Sequence, residues 1–133
     1  MHKPACCLAL ALLGGCAAPT AADLARRDTL SICADYGMYK NGLIYDHMLP
    51  PLLAELVARK AVTPVEWAMV NRGTIKIGMS QCALYASWGS GDRQNRSVSA
   101  GGERIQHVYR AGSRYSSATY VYTVNGVVTS WQD

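Results

Sequence analysis

The chain predicts an α+β domain, with two or three short helices packed on one face of a three- to four-stranded antiparallel sheet. Three observations carry that expectation. Leu49, Leu52, Leu53, Leu56 and Val57 recur at spacings of three and four, the stripe of a helix with one face in a core. Thr63-Pro64-Val65-Glu66 is a capping box with proline at the first helical position. Asn125-Gly126 stands between two β-branched runs and specifies a type I′ hairpin, whose two central residues need positive φ. Helical signals come first and strand signals follow, which is the order of an α+β fold.

Each element follows from local chemistry. Small residues and proline dominate from Ala17 onward, so residues 16–30 read as a tether and 31–133 as one domain. Asp35 to Gly42 is punctuated by glycine and reads as turn-rich, irregular structure. Pro50 and Pro51 fit only a first helical turn, so the striped helix runs from about Pro51 to Lys60. The capping box starts a second helix through Trp67, Ala68 and Val70, which stops near Arg72-Gly73. Ser80 caps a third, Gln81 to Trp88, closed by Gly89. Strands are expected at Arg96–Ser99, ended by Gly101-Gly102, and at Arg104–Arg110. The hairpin strands cover 119–124 and 127–131. A two-residue turn there pairs Val124 with Val127, Tyr122 with Thr129 and Tyr120 with Trp131, putting those six side chains on one face. Val121, Thr123, Val128 and Ser130 share the other.

The first fifteen residues have the form of an export signal. Lys3 precedes the apolar run Leu8 to Leu13, which is far shorter than the roughly 20 residues a membrane span needs. Leu13-Gly14-Gly15-Cys16 resembles a bacterial lipobox, which implies that residues 1–15 are removed and that Cys16 is lipidated. The competing reading is an ordinary secretory signal cut near Ala17-Ala18-Pro19. Ala17 after the cysteine, where Asp is absent, resembles an outer-membrane address. Cys6 and Cys7 leave with the signal, so Cys33 and Cys82 remain as a pair. In an exported protein they are expected to form a disulfide in preference to two buried thiols. Thirteen Lys and Arg stand against nine Asp and Glu, a formal +4; only Lys3 of these lies in the signal, which leaves +3. That charge is mild and spread out, unlike the dense basic patch of a nucleic-acid binder.

Ile75-Lys76-Ile77-Gly78-Met79-Ser80, followed by Leu84 and Trp88-Gly89, resembles the signature of the SmpA/OmlA/BamE-like outer-membrane lipoproteins. β-Lactamase-inhibitor-protein modules share that fold. The resemblance covers roughly residues 74 to 131. It implies that Gly78 makes a sharp turn into a helix, Met79 plugs the core and Ser80 caps the helix, with Leu84 and Trp88 facing the same core. Gly91 stands where the family has proline, which predicts a looser exit loop. The segment from Cys33 to Arg72 has no counterpart and reads as a helical elaboration. The family implies a non-catalytic lipoprotein that works by contact, in the best-known case with the outer-membrane barrel-assembly machinery.

Catalytic chemistry finds little support. His47 reads as a helix-entry residue and His107 as a half-buried or edge strand residue. There is no Gly-x-Ser-x-Gly elbow, no His-Glu-x-x-His and no four-ligand zinc pattern. Gly89-Ser90-Gly91-Asp92 lacks the lysine and following helix of a phosphate loop and reads as a turn. No cofactor or metal is expected. The alternative is a recognition surface. If the small-residue face of the hairpin lies under the helices, Tyr120, Tyr122 and Trp131 point outward, joined by Arg104 or Arg110; these are hot-spot residue types. The scarcity of large exposed apolar patches favours the opposite arrangement, with the aromatic face as core. The expected partner is a protein of the envelope, with the membrane reached through the lipid and no nucleic acid. The alternative is a hydrolase inhibited by the open sheet face.

Overall fold

The computed structural model describes residues 17–112, 114 and 116–133. The expected signal at 1–15 and the expected lipidation site Cys16 lie outside the described residues. Among the described residues five α-helices precede a four-stranded antiparallel sheet of order β1-β2-β3-β4, an α+β fold as expected, with more helices than the two or three foreseen.

The fold begins earlier than expected. Residues 17–30 contain α1, Ala21–Ala25, closed by a capping box between Thr20 and Asp23, and the start of α2, Thr29–Asn41. Two tertiary ties hold this stretch down. Leu24 is buried in the core, and Arg59 donates through Nη2 to the Leu24 carbonyl (2.8 Å) and through Nη1 to the Arg27 carbonyl (2.9 Å). Of the stretch expected to be a tether, only Ala17–Pro19 among the described residues precede the first helix and its cap.

Helix α2 also replaces the irregular structure expected at Asp35–Gly42. Asp28 caps it by accepting from the Ser31 amide at 2.9 Å. Gly37 sits inside the helix for a packing reason. A Cβ there would lie 1.9 Å from the Tyr85 carbonyl oxygen and 2.8 Å from the Gly89 nitrogen, so only glycine lets α2 press onto α5, Gln81–Trp88. Ile32, Cys33 and Tyr36 are buried with it. Cys33 is joined to Cys82 of α5 by a disulfide, with Cα atoms 5.3 Å apart.

A 3₁₀ turn, Asp46–Met48, leads into α3, Leu49–Ala58, which contains both prolines in its first turn. Leu52 and Leu56 of the stripe are buried, whereas Leu53 and Val57 face solvent. The fourth helix, α4, Pro64–Arg72, starts at the Thr63–Glu66 capping box and ends on left-handed Gly73. Residues 81–87 of α5 are buried all round, because this helix lies between the sheet and α2.

The strands are β1, Arg93–Ser99; β2, Gly102–Tyr109; β3, Thr119–Val124; and β4, Val127–Gln132. Asn125 (φ 49°) and Gly126 (φ 79°) make the expected turn. The expected hairpin register holds only beside that turn. Val124 pairs with Val127 and Thr123 with Val128, and then a bulge shifts the ladder. Beyond it Tyr122 pairs with Ser130, Val121 with Trp131 and Tyr120 with Gln132. One extra residue in β4 moves every later side chain to the opposite face.

Candidate functional site

The two faces of the sheet have different fates. Ile105, His107 and Tyr109 of β2, Thr119, Val121 and Thr123 of β3, and Val128 of β4 form the buried face under the helices. From β2, His107 and Tyr109 reach across to Tyr85 of α5 and to its C-cap Gly89. This settles the choice left open by alternation: the small-residue face is core, and the tyrosine face is not.

His107 is at the centre of that core, fully buried where an edge or half-buried position was expected. Its Nε2 is 2.9 Å from Thr123 Oγ1 and its Nδ1 3.3 Å from Tyr85 Oη. Tyr85 Oη already accepts from the side-chain amides of Gln81 and Gln94, each at 2.9 Å, so its own proton is left for His107 Nδ1. That assigns the proton on His107 to Nε2, which donates to Thr123. Burial pushes the His107 pKa down to about 4 and holds the ring neutral at physiological pH. Burial likewise raises the Tyr85 and Tyr109 phenols, and Tyr109 donates to the Gly89 carbonyl at 2.9 Å. This network ties the sheet to α5. His47 is exposed on the 3₁₀ turn.

Gly78 has φ +93°, Met79 is buried, and Ser80 Oγ accepts from the Ala83 amide at 3.1 Å. Leu84 is buried; Trp88 is half-buried, meets Tyr109 edge-on and donates to the Gly73 carbonyl at 2.8 Å. The segment also covers part of β4. Gly78 N donates to the Val128 carbonyl, Val128 N to the Met79 carbonyl and Gln81 N to the Gly126 carbonyl, at 2.8–2.9 Å. The loop after Gly89 is not loose. Gly91 takes φ +85°, which proline cannot adopt, and the Asp92 amide donates to the Val108 carbonyl at 2.8 Å, while Asp92 Oδ2 accepts from the Ala111 amide at 2.7 Å.

No described helix packs on the other sheet face, although Val108 within it is buried and Tyr120 and Tyr122 are half-buried. Its rows follow from the register: Arg93, Val108, Tyr120 and Gln132; then Asn95, Gln106, Tyr122 and Ser130; then Ser97, Arg104, Val124 and Val127. Asn95 Nδ2 donates to Gln106 Oε1 at 2.7 Å, and Gln106 Nε2 donates to Tyr122 Oη at 2.9 Å. The Arg104 guanidinium lies over the Tyr122 ring, 5.1 Å from its centroid. A shallow concavity of about 270 Å³ opens between Asn95, Arg96, Ser97, Arg104, Gln106 and Tyr122. These rows contain two arginines and no carboxylate. The concavity thus presents donors, a guanidinium and a phenol whose oxygen already accepts, in a fixed arrangement.

Of the five residues expected at this surface, the structure brings together Arg104, Tyr120 and Tyr122. Trp131 leaves it because the bulge pairs it with Val121, at the margin of the helix-side face, where it stays 40% exposed. Arg110 leaves it because its backbone turns left-handed (φ 59°) and its side chain bonds Thr119 and lies 3.7 Å from Asp133. It lines a separate cleft with Asn41, Trp88 and Tyr109. Gln106, Asn95 and Arg93 were missed. Their signal was the Ala100-Gly101 turn, which sets the β1–β2 register and places Asn95 opposite Gln106.

Among the described residues no three His, Cys, Asp or Glu side chains gather in a metal-binding group, and no helix is long and apolar enough to cross a membrane. No protein-family model, curated protein or solved structure matches the chain.

Proposed function

We propose that this chain is a lipid-anchored protein of the bacterial envelope that acts without catalysis, binding a protein partner through the open face of its sheet. The observation that carries the proposal is the pre-arranged row Asn95–Gln106–Tyr122 under Arg104, on a face that no helix covers. Tyrosine and arginine held in place lose little side-chain freedom on binding, which is the property of interface anchors. The Leu13–Cys16 sequence supports anchoring through Cys16, and the Gly78-Met79-Ser80 motif supports kinship with the SmpA/OmlA/BamE-like outer-membrane lipoproteins. On that reading the protein faces the periplasm and scaffolds envelope assembly.

The test uses the full chain expressed in a bacterial envelope. Tyr122→Ala and Arg104→Glu are each expected to reduce the amount of co-purified partner about tenfold or more, with melting temperature unchanged. Cys16→Ala is expected to abolish labelling by a fatty-acid analogue. Recovery of barrel-assembly components supports the scaffolding role, and recovery of a soluble hydrolase replaces it with an inhibitor acting through the same face. An unacylated protein whose captured partners ignore both surface substitutions overturns the proposal.

A further inference from the structure

The two edges of the sheet are treated differently. The β4 edge is covered over its first half by the Gly78–Gln81 segment and distorted further along by the bulge. The β1 edge is bare. All seven residues from Arg93 to Ser99 are exposed, and the strand pairs with β2 in one unbroken register. It contains no proline, no bulge and no covering helix, which are the devices that ordinarily block a sheet edge. Seven residues are enough for a partner strand to form a full ladder.

Charge selects the occupant. Arg93 and Arg96 project from opposite faces of β1, and the strand contains no acidic residue. Arg96 meets Glu103 of β2, whereas Arg93 has no carboxylate partner among the described residues. A second copy pairing antiparallel along this edge would set one doubly basic strand against another, and like charges across a ladder are destabilising. The same two arginines favour an extended strand with carboxylates. A residue added opposite Arg93 would also extend the row of Val108 and Tyr120.

We infer that β1 is a docking edge that takes an extended acidic segment of a partner protein as a fifth strand. The inference rests on the proposed binding role and names the chemistry of the partner: backbone pairing along Arg93–Ser99, with glutamate or aspartate beside Arg93 and Arg96.

The probe is a capped peptide of about eight residues alternating glutamate and threonine, long enough to span the edge. It is added to the full chain in detergent micelles, and amide hydrogen exchange is read residue by residue. The expected result is that alternate amides of β1 exchange about tenfold more slowly with this peptide. The effect is expected to be absent with a lysine–threonine peptide and with a glutamate peptide N-methylated at every second amide. Arg93→Glu is expected to reverse the preference between the glutamate and lysine peptides. Unchanged β1 exchange, equal protection by both peptides, or protection that grows with protein concentration in the absence of peptide each overturns the inference; the last outcome makes a second copy the occupant. Partner capture that depends on Tyr122 is a separate readout, so loss of the edge leaves the binding face standing.

Discussion

At the scale of single residues, His107 and Gly37 do work that their types alone do not announce. His107 is neutral in the fold, with a pKa lowered to about 4 against 6.5 for the exposed group. The unfolded chain takes up a proton below pH 6.5 that the folded chain refuses. Stability from this group is therefore full above that pH and is lost as pH falls toward 4, with a slope of about 1.4 kcal/mol per unit and a total of about 3 kcal/mol. Urea unfolding across that range should show the loss, and His107→Gln should flatten it. A slope unchanged in the variant would assign the acid sensitivity to other groups. At Gly37 an added methyl meets backbone atoms and not a flexible side chain. Gly37→Ala is expected to cost about 3 kcal/mol or more by forcing α2 from α5, read as a fall in denaturation midpoint. Alternation showed that His107 lies on a strand but not how deeply it is buried. Gly37 looked like a turn residue because a helix glycine needed for close approach has no local signature.

At the scale of elements, the helix starts were legible and the contacts between elements were not. The Thr63–Glu66 box forms as expected: Thr63 Oγ1 accepts from the Glu66 amide (3.2 Å) and Glu66 Oε2 from the Thr63 amide (2.9 Å). Unforeseen is the second oxygen, Oε1, which accepts from the Ser80 amide at 2.7 Å and so joins α4 to the start of α5. Partial burial acts to raise the Glu66 pKa, but the hydrogen bonds from Ser80 and Thr63 together outweigh it and hold the group below its ordinary value. Its stabilisation is present above the unfolded carboxyl range and disappears as pH falls through the lowered folded value. Thr63→Ala is expected to cost about 1 kcal/mol, and Glu66→Ala about 2 to 3 kcal/mol because two amides lose their acceptor. Equal losses in thermal unfolding would mean that the Ser80 bond contributes nothing. The hairpin shows the same division. Asn125-Gly126 specified the turn and its first pairs, while the bulge that carries Trp131 off the tyrosine face depends on packing several residues away.

At the scale of the whole molecule, α5 is the centre: the sheet lies on one side, α2 on the other, and the disulfide fastens Cys82 to Cys33 across 49 residues of chain. Closing a loop of that length restricts the unfolded chain by about 4 kcal/mol, a large share of the stability of a domain this size. Reduction, or the paired change Cys33→Ser with Cys82→Ser, is expected to remove about that amount in urea titrations with and without reductant. A loss under about 1 kcal/mol would show that α2 and α5 stay together through packing alone. The sequence by itself determined the α+β class, the caps at Thr63 and Ser80, the hairpin turn and the eligibility of two cysteines to pair. Each of those depends on residue type and on neighbours within a few positions. Only the folded contacts decided that 21–25 and 29–41 are helical, that the small-residue face of the hairpin packs under the helices while no described helix covers the tyrosine face, and that β1 is the barer of the two sheet edges. Those outcomes depend on burial against residues tens of positions away, which no local pattern records.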